Sequence, residues 1–326
     1  MEQEIERCHK VLLNFIPSEV RPKLTELMKV MNSQYRDLAI TDWQGYRFTP
    51  PALAKIAEWQ YANWYPTVND VLIASYPKTG TTWLTQIVKK VIYMNDTAQM
   101  AVANAVTQLH SYLENASEIT FEVMQKLPWK RLIWETHYPA PIVNMDRVKK
   151  TSCKVIYIVR NPKDQLVSWF HMSQRIPTHR MAPINSYYPA DWVSFFDFFI
   201  NGKQPNYARK NEWYPDHILS WYAYHNEKNV LFVMYEDLKE DPAKEIRKIA
   251  NFLGVERSYE EIEKIVEATS FQTMKKEASP LTSSMNLLRK GQVGDWKNYF
   301  TVAQSELMDQ KFHEKLSGID LEFTYE

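Results

Sequence analysis

The sequence predicts an α/β fold, a single domain with a central, mostly parallel sheet flanked by helices. Four short apolar runs, at 71–75, 131–134, 154–159 and 230–234, read as buried strands. Segments with helical spacing at 82–94, 162–173, 213–226 and 242–253 separate them. Strands alternating with helices form a parallel sheet covered on both faces. The chain of 326 residues is 45% hydrophobic, which suffices for one large core, and no repeat or low-complexity linker divides it.

Taken in order, residues 1–38 are a helical N-terminal extension. Leu12, Leu13, Phe15 and Ile16 precede Pro17, and Leu24, Leu27, Met28 and Met31 follow Pro22. A packed cap or an oligomer contact is the role expected of it. The run Val71-Leu72-Ile73-Ala74 then leads into Ser75-Tyr76-Pro77-Lys78-Thr79-Gly80-Thr81-Thr82-Trp83. Trp83, Leu84, Ile87, Val88, Val91 and Ile92 recur at helical spacing, so a helix begins near Thr81. A strand, a tight turn and a helix N-terminus together make an anion site, because the first N–H groups of a helix have no partner within it. Gly80 lets the backbone approach the anion, Thr81 and Thr82 add hydroxyls, and Lys78 adds a mobile positive charge.

The second strand runs into Glu135-Thr136-His137-Tyr138-Pro139, where Pro139 stops regular structure and His137 is suited to general-base work near neutral pH. Val155 to Val159 form the third strand, which ends at Arg160; Pro162 then occupies the favoured first position of a helix. A guanidinium there can hold a phosphate bidentately. The 174–212 region carries Pro177, Pro183, Pro189 and Pro205 with Tyr187, Tyr188, Trp192, Phe195, Phe196, Phe198 and Phe199. It reads as a loop with one short helix that either roofs a pocket or fills core. The last strand opens into Tyr235. In such sheets the ligand lies at the strands' carboxyl ends, where Ser75 to Lys78, Glu135 to His137, Arg160 and Tyr235 all fall.

Charge and cysteine usage limit the function classes. Lys plus Arg and Asp plus Glu both number 39, so no global field draws the chain to nucleic acid or to membrane. Cys8 and Cys153 are the only cysteines, which suits a reducing compartment. The N-terminus is acidic where a secretory signal would be basic, and no apolar run of about 20 residues could span a bilayer. A cytoplasmic protein without a membrane anchor is expected. The eight histidines show no metal-ligand spacing, so no metal is expected.

The anion loop departs from the nucleoside-triphosphate pattern G-x-x-x-x-G-K-[ST], because Lys78 precedes the only glycine. It resembles the phosphosulfate-binding loop of the cytosolic sulfotransferases, which use 3'-phosphoadenosine 5'-phosphosulfate (PAPS) as sulfuryl donor. Three more segments share the resemblance, in the family's order. Arg160-Asn161-Pro162-Lys163-Asp164 with Ser168 is similar to the family's 3'-phosphate site, and Arg289 to Asn298 to its second 3'-phosphate segment. Glu135 to Pro139 resembles the catalytic strand end except at its first residue. The resemblance spans about residues 43–310, and a sulfotransferase domain is expected over 39–326.

What the resemblance implies is specific. His137 would be the general base, and Lys78 would hold the bridging oxygen and the leaving phosphate. Lys78, Thr79, Gly80, Thr81 and Thr82 would bind the phosphosulfate, while Arg160, Ser168, Arg289, Lys290 and Gly291 would bind the 3'-phosphate. Trp83 and Phe271, the latter in Thr269-Ser270-Phe271, would clamp the purine, with Tyr235 at the adenine. Leu287 and Leu288 stand where Phe-Met is commoner. Lys297, Thr301, Val302 and Glu306 match the family's short homodimer motif. Glu135 stands where the family often has a lysine that neutralises the moving sulfuryl group. On a strand it would share a face with His137, where its carboxylate would repel the sulfuryl oxygens if it pointed inward, or else raise the histidine's pKa or pair with a nearby base. The acceptor is expected to be a small phenol, steroid, other alcohol or amine. Two other readings stay open: a PAPS-binding protein with weak or lost turnover, and a P-loop kinase.

Overall fold

The computed structural model describes residues 13–24, 26–27, 37–109, 112–127, 131–205 and 207–326. A small hairpin comes first, β1 (Thr41–Trp43) against β2 (Tyr46–Phe48). Its turn, Gln44-Gly45, has both residues at positive φ, the conformation two-residue hairpins favour. Four strands make the main sheet: β3 (Val71–Ser75), β4 (Ile133–Thr136), β5 (Lys154–Val159) and β6 (Val230–Met234). Their order is β4-β3-β5-β6, and every pairing is parallel. The second strand starts two residues later than the apolar run suggests, so Glu135 and Thr136 lie inside it.

Among the described residues nine helices have nine or more residues; besides Thr97–Leu109 they are α1 (Pro51–Asn63), α2 (Thr81–Tyr93), α3 (Pro162–Ser173), α4 (Trp192–Ile200), α5 (Tyr214–Tyr222), α6 (Pro242–Phe252), α7 (Tyr259–Ala268) and α8 (Val302–Leu316). The period-two alternation of the strands sorts the core into two layers. Val71, Ile73, Ile133, Ile156 and Ile158 face α2, α6 and α7 through Leu84, Ile87, Ile246 and Ile265. Leu72, Ala74, Trp134, Val155 and Tyr157 belong to the larger opposite layer, with residues of α1, α3, α4, α5 and α8. Burying β3 completely on both sides is what its uninterrupted apolar run requires.

In the N-terminal extension, Ile16, Val20, Leu24 and Leu27 are buried in that larger layer. Leu12, Met28 and Met31 lie outside the described residues. The 174–212 region divides between the two roles open to it. Phe195, Phe196 and Phe199 on α4 are core, whereas Ile176, Thr178, His179, Tyr188, Pro205 and Tyr207 line the main cavity. Arg47 on the hairpin fastens this wall by donating from Nη2 to the carbonyls of Gly202 (2.8 Å) and Gln204 (3.1 Å).

Candidate active site

The site is built from the carboxyl ends of the strands. Beyond β3 the chain turns sharply, with Lys78 at φ +71° and Gly80 at φ +116°, to reach the N-terminus of α2. The buried Thr79 hydroxyl donates back to the Tyr76 carbonyl (2.8 Å), and Gln165 of α3 donates to the Pro77 carbonyl (2.7 Å), which locks the turn. A side chain at Gly80 would put its Cβ 2.8 Å from the Tyr235 ring and 3.0 Å from Ile158. Glycine is therefore required by both conformation and space. The first-turn N–H groups of α2 are free of intrahelical partners.

Cations converge on this helix end. Arg160, at the end of β5, stacks 4.3 Å over the Tyr235 ring, donates to the Gln292 carbonyl (3.1 Å), and has its own carbonyl bonded by the Tyr214 hydroxyl (2.8 Å). Burial, with the Arg160 and Arg289 charges adding to it, drives the pKa of Lys78 down to about 7. Arg289 and Lys290 both pair with Asp295 at 2.6 Å. Burial favours the neutral form of Asp295, but the bonds from Lys290, Asn298 and Arg289 outweigh it and hold its pKa at about 2. Asp164, in the first turn of α3, accepts the N–H groups of Gly294 (2.7 Å) and Trp296 (2.9 Å), which pins the 289–298 segment over the site. Gly291, at φ +65°, lies so close to Phe271 that a Cβ would fall 2.3 Å from the ring. The Nε atoms of Arg160 and Arg289 and Nε1 of Trp83 are buried without a partner.

These residues line one cavity of about 380 Å³, within the range of small-ligand sites. Lys78, Gly80, Thr81, Thr82, Trp83, His137, Arg160, Ser168, Tyr235, Thr269, Phe271, Arg289, Lys290 and Gly291 all reach it. Thr79 and Ser270 do not; the Ser270 hydroxyl accepts the Thr273 N–H (3.3 Å) and caps the helix Phe271–Lys276. Leu287 and Leu288 are on the wall, and the Leu287 carbonyl accepts from Lys78 Nζ (3.3 Å). Beyond His137 the wall turns apolar and aromatic, with Tyr112, Trp169, Met172, Ile176 and Tyr188.

His137 is held from several sides. Its Nδ1 lies 2.9 Å from the Ser75 carbonyl and 3.1 Å from the Ser75 hydroxyl, which is itself 2.7 Å from the Thr81 hydroxyl. A carbonyl can only accept, so Nδ1 carries the proton and Nε2 keeps its lone pair. Burial lowers the histidine's pKa to about 4, the Ser75 carbonyl works against that, and Lys78 adds to it. The expected coupling to Glu135 is thus replaced by the opposite shift. Glu135 pairs in register with Ile73, so it faces α2, where it accepts from the Thr85 hydroxyl (2.5 Å) and its charge acts on buried Lys89. The strand ends at Thr136, before the alternation could bring His137 to the same side. The sequence placed Ser75 at a strand's carboxyl end but not its hydroxyl against His137, and two contributors carried no signal in it: Tyr112, whose ring centroid is 5.1 Å from that of His137, and Glu114, which accepts the His137 main-chain N–H.

Comparison with known proteins agrees with this geometry. The sulfotransferase domain model matches residues 68–320. The chain is 34% identical over 274 residues to sulfotransferase 1C2 of Oryctolagus cuniculus, covering 79% of this chain and 86% of that protein. It is 35% identical over 272 residues to sulfotransferase 1B1 of Mus musculus, with the same coverage of 79% and 86%. Its fold matches mouse sulfotransferase SULT7A1 complexed with PAP at a TM-score of 0.68 and 31% identity, over 86% of this chain and 96% of that one. From the matched span and the shared fold, this chain belongs to the sulfotransferase family, as an enzyme of the transferase class.

Proposed function

We propose that this enzyme transfers a sulfuryl group from PAPS to a hydroxyl of a small acceptor, with His137 as general base. The observation that carries the reading is the juxtaposition of a buried cationic cluster at a helix N-terminus with a neutral imidazole whose Nε2 is bare. The donor fits the residues present. Arg160 and Arg289 offer unpartnered Nε donors for a phosphate, Gly80 and Gly291 leave no side chain in the way, and Trp83 and Phe271 supply aromatic faces for a base. A structure of a 31% identical sulfotransferase in complex with PAP supports the same donor.

His137 accepts the hydroxyl proton at Nε2 while the acceptor oxygen bonds to sulfur and the bond from sulfur to the 5'-phosphate oxygen breaks. The imidazole is neutral over the physiological range, as a base must be. Lys78 and the first-turn N–H groups of α2 neutralise charge on the departing phosphate, the type of preorganised stabilisation that dominates related transfers. Glu135 does not line the cavity and so neither repels the sulfuryl oxygens nor assists them. Among the described lining residues there is no Asp or Glu, while Arg160, Lys239, Arg289 and Lys290 bring basic side chains and Lys78 is recharged when the donor binds. That balance and the aromatic wall favour an uncharged phenol or alcohol over an ammonium-bearing amine.

We assign the catalytic domain to residues 39–326 and residues 1–38 to an extension, of which Ile16, Val20, Leu24 and Leu27 are buried against the domain. Among the described residues, no helix is long and apolar enough to cross a membrane; the likeness to the cytosolic family supports a cytoplasmic enzyme. A homodimer through Lys297, Thr301, Val302 and Glu306 is supported by the exposure of all four side chains, Val302 at 75%. The test of function is incubation with PAPS and a panel of phenols, sterols, amines and sugars without added Mg²⁺. Formation of sulfated product with release of the 3',5'-bisphosphate nucleotide is expected. Donor binding by calorimetry with no product from any acceptor would favour the reading as a binding protein without turnover. Family membership leaves the kinase reading without support.

A further inference from the structure

Glu114 lies outside every recognised motif, yet its carboxylate closes a gap in the main chain of the catalytic strand. It sits in the short turn Leu113–Asn115, which Gln60 of α1 holds by donating from Nε2 to the carbonyls of Leu113 (2.5 Å) and Ala116 (2.6 Å). Glu114 is 3% exposed. Its Oε1 accepts the His137 main-chain N–H and the Thr136 hydroxyl, the latter at 2.9 Å. Thr136 Oγ1 in turn accepts the Tyr138 N–H at 3.0 Å. The parallel ladder to β3 ends at the pair Ala74 and Thr136, so the N–H groups of 137 and 138 have no strand to bond to. Buried donors of that kind are costly to leave unpaired, and a carboxylate paired with a hydroxyl satisfies both.

We propose that Glu114 is a positioning residue for the base: it fixes the peptide at 136–138, so that the imidazole held by Ser75 keeps Nε2 aimed at the acceptor. Ser75 restrains the ring at Nδ1 only, which leaves rotation about that contact. Glu114 removes the freedom by anchoring the other end of the residue. Its action needs an acceptor oxygen, not a titrating proton, since a carboxamide oxygen can accept the same two bonds. Its Oε2 has no partner, so a Gln Nε2 in its place displaces no bond.

The proposal rests on His137 as the base, and the experiment separates the two. In Glu114→Ala, kcat should fall about 10- to 100-fold, the cost of a catalytic group displaced by up to about 1 Å, with donor Kd within about twofold of wild type. Glu114→Gln should recover kcat to within about threefold and keep the wild-type pH–rate profile. The double variant His137→Ala/Glu114→Ala should be no slower than His137→Ala, because a residue acting through the base has nothing left to position. Should Glu114→Ala fail to fold, Thr136→Val takes its place, with kcat falling several-fold at unchanged donor Kd. Wild-type kcat in the folded variant, a Gln variant as slow as Ala, or additive losses in the double variant would each overturn the role of Glu114. If His137→Ala itself keeps wild-type kcat, the reading of His137 as base fails instead.

Discussion

The pKa of Lys78 gives a measurable signature of donor binding. In the nucleotide-free site burial and the Arg160 and Arg289 charges hold it at about 7, so at pH 7 the ammonium is about half deprotonated. A phosphate or phosphosulfate placed beside it favours the charged form and raises the pKa. The sign follows: binding takes up protons, and affinity weakens as pH rises above 7. Uptake through this residue should be about 0.5 proton at pH 7, about 0.9 at pH 8 and about 0.1 at pH 6. Adenosine 3',5'-bisphosphate brings its own phosphate ionisation, with a second pKa of about 6, so the difference between wild type and a Lys78→Met variant at pH 8, where the free phosphates are ionised, reports the lysine. Calorimetric titration in two buffers of different ionisation enthalpy reads the proton number directly. Equal uptake by wild type and Lys78→Met at both pH 7 and pH 8 would refute the argument that this lysine is neutralised by its surroundings and recharged by the donor.

Other outcomes follow from the same geometry. Arg160→Ala should weaken donor binding and abolish the preference for the 3'-phosphate over the nucleotide lacking it; an intact preference in competition binding would place that contact elsewhere. Gly291→Ala should displace Phe271, because its Cβ would stand 2.3 Å from the ring; donor affinity should fall tenfold or more, as measured by calorimetry, and an unchanged Kd would remove Phe271 from the nucleotide site. Burial pushes Glu114 up to about 7, so its contribution to stability is present below its unfolded pKa and is lost as pH rises through 7. Glu114→Gln should therefore gain on wild type by on the order of 3 kcal/mol at pH 8 and by little near pH 5; chemical unfolding curves whose difference is constant with pH would contradict this. Val302→Glu should convert a dimer to monomer with kcat unchanged, and sedimentation identical to wild type would move the interface away from Thr301 and Val302.

What the sequence by itself determined was local. The turn at 75–83 could be read because its parts are neighbours in the chain: a β-branched run, one glycine that must take positive φ, and a helix whose first N–H groups are free. The same holds at Arg160, where Pro162 starts α3, and for the placement of ligands at strand ends. Periodicity alone carried the two-layer core. It could not say where β4 stops, and that single boundary decided Glu135. One more strand residue would have turned the His137 side chain to the face of Glu135; instead the strand stops at Thr136, register with Ile73 holds Glu135 toward α2, and the imidazole is left to Ser75. The pKa values of Lys78 and His137 are likewise tertiary facts, because desolvation and neighbouring charge act through space. Glu114 is the clearest instance. It lies 23 residues before His137 in an unremarked stretch, and only the packing of a short turn against the end of β4 brings its oxygen to an N–H that the sheet leaves unpaired.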